Sequence, residues 1–335
     1  MTRFDSLLGP LRHTSDPPTG TELRDQVERW VLSDAMRQLV TLSGWAWPDG
    51  DPRSVLGHLE SLSAAWDFRS GSERHLLSVR PAVVDGRELD DALVAAAAAD
   101  LGLTGGMEVQ GPFDHLLVLG GMARACLRRV RLAHDLVSSM RIPSIVVLTA
   151  LRPLQGQELH DAIEDAGRPL ALESEAATSA TQQVFHLAEE PDRFESDDLR
   201  TTGQAQTMSG SASAQRLAWS VTHWDRPVQA DVLVAPSSEP GSRRADTVDQ
   251  LRFWSHRTAI DPGERVLMVT TEHYVPYQHF QGLRVLTLER GCTLVTTGTG
   301  WSPAGAFRAA GYLQEVRSAL RSARELWDAS SPFTA

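Results

Sequence analysis

At 335 residues, 41% apolar and 22% charged, the chain is long enough for one large or two modest domains and has an ordinary globular composition. Its net charge of −11 argues against general nucleic-acid or anionic-membrane binding, because neutralising phosphates needs clustered positive charge. It contains no lysine, which excludes Schiff-base chemistry and a Walker-type lysine.

The two cysteines, Cys126 and Cys292, lie far apart and neither belongs to a CxxC pair, so neither a zinc site nor a disulfide framework is signalled. A reducing compartment follows. The first residues lack an apolar signal-type segment, and no stretch approaches the roughly 18 apolar residues of a membrane span. The expectation is a soluble, cytoplasmic protein.

Residues 1–20 read as an irregular lead-in. From Thr21 to Val40, the spacing of Leu23, Val27, Trp30, Val31, Ala35 and Leu39 predicts an amphipathic helix. The period resumes from Arg53 to Asp67, and the alanine run gives a third helix from Arg87 to Leu101. Trp30, Trp45, Trp47 and Trp66 either fill a helical core or form a platform for a substrate or partner, so homo- or hetero-oligomerisation would run through these helices.

Near residue 110 the pattern changes. A short apolar run ends in Gly120-Gly121, and an arginine-studded helix follows from Ala123 to Met140. A strand begins at Ser144 with a helix from Gln155 to Ala166, and Pro169–Glu175 with 176–188 makes a weaker strand–helix pair. Residues 189–213 read as a mobile insertion, and 214–224 as an added strand. Strands at 231–236, 265–271 and 292–297 alternate with helices at 245–258, 275–288 and 304–327. Such alternation predicts a three-layer, Rossmann-like, mostly parallel sheet with helices on both faces, over 111–330, preceded by a helical region over 1–110.

In open α/β sheets, ligands sit beyond the carboxyl ends of the strands, and the polar residues of this chain gather there. Gly120 and Gly121 would let backbone amides approach an anion at a helix start, with Arg124 adding a charged fork. Thr149, Arg152 and Glu158 follow the second strand; Glu158 sits where a helix dipole favours a carboxylate. Ser237, Ser238, Arg243, Arg244 and Thr247 suit an oxyanion, although a residue such as Thr247 also serves as a helix cap. Thr270, Thr271, His273, Tyr274 and Tyr277 complete the set, with His273, Tyr274 and Glu158 as candidates for moving protons. There is no HxxxH pair, GxSxG elbow or compact carboxylate cluster, so no metal and no cofactor are expected.

Over about residues 113–300 the chain resembles the YdcF/SanA/ElyC-like domain of unknown function. The likeness lies in Gly120-Gly121 with Arg124, in Glu158, in Thr247-Val248-Asp249-Gln250, and in the segment from Thr270 to Tyr277. Where that family has Glu-Asn, this chain has Asp249-Gln250; the family histidine position is Tyr274, with His273 one place earlier, and the family arginine is Tyr277. The resemblance implies envelope-lipid metabolism or S-adenosylmethionine binding, and the departures point to a diverged biosynthetic enzyme.

Three functional expectations result. The first is a cofactor-independent lyase or hydrolase that holds a phosphate- or sulfate-type group of an anionic small molecule and promotes its departure by elimination, displacement or hydrolysis. The second is an S-adenosylmethionine- or nucleotide-binding transferase, and the third a non-catalytic partner subunit.

Overall fold

The computed structural model describes residues 7, 17–68, 81–104, 109–197, 218–300 and 307–331, the side chains of 157 and 165 excepted. Thr19 and Glu22 exchange hydrogen bonds in a capping box that starts α1 (Gly20–Val31). The helix expected from Thr21 to Val40 is in fact two, because the Ser33 hydroxyl accepts from the Met36 amide and restarts the chain as α2 (Asp34–Leu42). Asp51 caps α3 (Pro52–Leu62), with proline in the first turn, where a missing N–H costs nothing. The expected helix from Arg87 also changes: β1 (Val83–Val84) and β2 (Arg87–Glu88) form a hairpin, and α4 (Asp91–Asp100) follows its Asp90 cap. Asp85 and Gly86 both have positive φ, the backbone that such a tight turn demands.

The next strands are apolar at consecutive rather than alternate positions, as buried parallel strands are. They are β3 (His115–Leu119), followed by α5 (Ala123–Ser139), and β4 (Ser144–Ala150), followed by α6 (Gln157–Ala166). Pro169 to Glu175 make only an isolated bridge, Pro153 to Leu172, before α7 (Glu173–Phe185), since Glu175 reaches back to cap residues 171 and 172. Within the expected insertion, β5 (Arg193–Ser196) pairs with β6 (Ser220–Trp224); residues 198–217 lie outside those described. Then come β7 (Gln229–Ala235), α8 (Thr247–Arg257) and β8 (Arg265–Thr271), and after them α9 (Val275–Gly282), β9 (Thr293–Thr299) and α10 (Ala309–Ala329).

The fold is mixed α/β, with a helical N-terminal region and a seven-stranded sheet ordered β5-β6-β7-β4-β3-β8-β9. Pairing is parallel for β3 with β4, β3 with β8 and β4 with β7, while β5 and β6 add an antiparallel edge. The chain runs outward from β3 through β4 to β7 and then returns to β3's other side as β8. That reversal is the topological switch point, where doubly wound sheets hold ligands.

Two compact units are present: Gln110–Thr270, and Met1–Val109 with Thr271–Ala335. In the latter, Trp30 and Trp66 are core residues. Trp30 donates to the Leu101 carbonyl at 3.0 Å and sets its ring edge-on to Phe280, and Trp66 donates to Ser43 at 3.0 Å. Each thus buries a large apolar surface while its indole N–H stays bonded. Trp45 stacks on Trp66, and Arg37 lies over the half-buried Trp47.

Candidate functional site

At the carboxyl end of β3 the chain must turn in very little space. The Gly120 amide donates to the Leu148 carbonyl at 2.6 Å. A Cβ on Gly120 would lie 2.6 Å from that oxygen and 2.7 Å from Glu173 Oε1, so close packing alone demands glycine here. A Cβ on Gly121 would meet the Arg129 guanidinium at 3.1 Å.

Arg129 is buried, and its Nη1 donates to the carbonyls of Leu119, at 2.7 Å, and Gly120. An arginine-studded helix such as this one is read, in part, as a solvated face. The signal against that is periodic, because Arg129 shares a face with the buried Cys126 and Ala133. Burial pushes the Cys126 thiol up to about 12, so it is no nucleophile.

Beside this turn lies a buried ion cluster. Arg152 Nε donates to Glu173 at 2.6 Å, Nη1 to Glu158 Oε2 at 2.8 Å, and Nη2 to the other Glu158 oxygen. The Thr149 hydroxyl donates to Glu173 at 3.2 Å. Burial, the largest influence, pulls the Arg152 pKa down, but hydrogen bonds and charge from both glutamates more than offset it and hold the guanidinium ionised. The structure therefore brings Thr149, Arg152 and Glu158 together, with Glu173, which sequence reasoning missed, at the centre. Arg124 points elsewhere, to Asp161 at 3.2 Å and Glu164 at 2.7 Å on α6.

The turn after β7 is built differently. Asp246 and Asp249 form a capping box on α8, and Arg243 bonds Asp249 at 2.5 Å, Asp246 at 3.2 Å and the Ser238 hydroxyl at 2.9 Å. Burial raises the Asp249 pKa, but Arg243, Ser238 and the Asp246 amide reverse the shift and hold it low. Ser237 accepts from the Glu239 amide at 3.0 Å, Thr247 is buried in the first turn of α8, and Arg244 is exposed. Two carboxylates thus occupy the positive end of this helix, which an external anion would have to displace. The α5 start differs: Met122 stands at its N-cap and no side chain caps it.

In the Gln110–Thr270 unit, Thr270 is fully buried near the end of β8. In the other unit, Thr271 is fully buried and His273 nearly so, its ring stacked on Phe307 at 4.4 Å and edge-on to Tyr274 at 4.1 Å. Phe307 meets Tyr312 at 4.8 Å; burial first, and then the Glu272 charge, raise the Tyr312 pKa and keep its phenol protonated. Phe307 and Tyr312 carry no motif by which sequence could have placed them beside His273. Tyr277 is half-buried on α9. His279, inside the same unit, has its Nδ1 3.0 Å from the Thr296 hydroxyl and a pKa driven down by burial to about 3, so it stays neutral.

Among the described residues, no helix is long and apolar enough to cross a membrane.

The Rv3785 N-terminal domain model matches residues 14–102. The uncharacterized protein Rv3785 of Mycobacterium tuberculosis strain H37Rv is 30% identical, across 95% of this chain and 93% of its own length. The uncharacterized protein Mb3814 of Mycobacterium bovis matches to the same extent. No solved structure matches. These findings overturn the resemblance to the YdcF/SanA/ElyC-like domain. Its elements, a glycine pair after one strand and hydroxyls with a histidine after another, are what many doubly wound sheets carry at their carboxyl edge.

Proposed function

The chain belongs to the Rv3785 family, and we propose that it is a small-molecule enzyme that holds a phosphate- or sulfate-type group at the amino end of α5 and promotes its departure. The supporting observation is that α5, a 17-residue helix leaving β3 at the switch point, has no capping side chain, while α8 is sealed by two aspartates. First-turn amides and the helix dipole attract an oxyanion. The same groups stabilise the charge that develops as an oxyanion leaves.

Glu158 is held by Arg152 and serves to position it rather than to take a proton. Arg152 stands where the nucleotide reading needs an acid for ribose hydroxyls, so that reading is not favoured. A cytoplasmic, biosynthetic setting belongs to the same proposal, and the two free, buried cysteines fit a reducing compartment.

Calorimetric titration with inorganic phosphate and sulfate, and a turnover screen of phosphate and sulfate esters, test the reading. The telling variant is Met122→Asp, which supplies the missing N-cap. It is expected to stabilise the protein by about 0.5–2 kcal/mol while abolishing anion binding and turnover. Undiminished anion binding in this variant would refute the site.

A further inference from the structure

In the Gln110–Thr270 unit the outermost strand is β5, which among the described residues pairs only with β6. Its Phe194 is 59% exposed, more than any other large apolar side chain among the described residues. Arg193 and Glu195, on the opposite face of the strand, form an ion pair at 3.3 Å with side chains 63% and 39% exposed, and Arg257 from α8 also holds Glu195. An edge strand offers backbone donors and acceptors to any passing chain, and proteins commonly blunt it with charges that repel a second copy.

Here the charge order does the reverse. Side chains alternate between faces along a strand, and those directly opposite in an antiparallel pair share a face. When two β5 strands meet antiparallel about Phe194, each Phe194 faces its counterpart. On the other face, Arg193 of each copy meets Glu195 of the other. One patch thus complements itself under a two-fold axis, as an isologous contact requires.

We propose that β5 is a homodimerisation edge, two copies pairing antiparallel through Arg193–Ser196. The occupant is a second copy of this chain, and its recognition rests on the opposite charges flanking Phe194.

Sedimentation equilibrium on the full chain tests this, with circular dichroism confirming that each variant is folded. The wild type is expected to be a dimer at micromolar concentration. Arg193→Glu alone or Glu195→Arg alone places like charges opposite each other twice, and each is expected to weaken the dimer roughly tenfold or more. The double variant Arg193→Glu/Glu195→Arg restores complementarity and is expected to regain the dimer. A monomeric wild type overturns the proposal, as does a dimer that both single variants leave unchanged or a double variant no better than the singles.

Discussion

Replacing Arg152 with methionine removes a cation hydrogen-bonded to both Glu158 and Glu173. All three side chains are at least nine-tenths buried, so little solvent screening softens the loss. Breaking a buried ion pair by deleting one partner costs about 3–5 kcal/mol, and two stranded carboxylates place this variant near about 5 kcal/mol. Urea unfolding, followed by the fluorescence of the buried Trp224 and Trp254 in the same unit, reads the effect. With a slope of about 2 kcal/mol per molar urea, the midpoint is expected to fall by about 2.5 M. Adding Glu158→Leu and Glu173→Gln removes the stranded charges while leaving Thr149 an acceptor, and is expected to restore most of the loss. A shift under about 0.5 M for the single variant, or a triple variant as weak as the single one, would refute the reasoning that these charges hold the edge of the sheet together.

Two other changes probe the same unit. His223 lies between Asp231, 2.5 Å from Nδ1, and Asp225, 2.8 Å from Nε2; burial lowers its pKa, but the two aspartates outweigh that and raise it. A raised folded-state pKa gives stability that is complete below the unfolded value of about 6.5 and is lost as pH climbs through the folded value. Wild type is therefore expected to exceed His223→Gln in unfolding free energy at pH 5.5, with a margin that shrinks above neutrality; a margin independent of pH would contradict the assignment. Gly120→Ala places a methyl 2.6 Å from the Leu148 carbonyl, and is expected to cost about 1–3 kcal/mol in thermal or urea unfolding. No measurable loss there would mean that the turn has room to spare.

The sheet was legible because β3, β4, β7 and β8 are each a continuous apolar run closed by a polar turn, a pattern that few other structures satisfy. Local chemistry was harder to read. A helix expected to run from Thr21 to Val40 breaks at Ser33 because one hydroxyl there competes for a backbone amide. The hairpin before α4 was hidden by an alanine run whose helix propensity swamps the Asp85-Gly86 turn signal. At the candidate site, sequence placed Thr149, Arg152 and Glu158 at one strand end but could not show that they face each other. Glu173 reaches Arg152 from a helix 21 residues away, a distance no spacing rule covers. Arginine was read as an anion ligand, yet in Arg124, Arg152 and Arg243 the anions are the protein's own carboxylates. That the α5 start has no capping side chain, a feature it shares with α6, became visible only in three dimensions.

The most direct measurement is a crystal structure of the protein grown or soaked with selenate, whose anomalous signal marks oxyanion positions. The account predicts a selenium peak within hydrogen-bonding reach of the first-turn amides of α5, beside Gly121, and its loss in Met122→Asp. A peak at the Arg243–Arg244 turn alone, or no peak at the α5 start under conditions that saturate anion binding in solution, would contradict it.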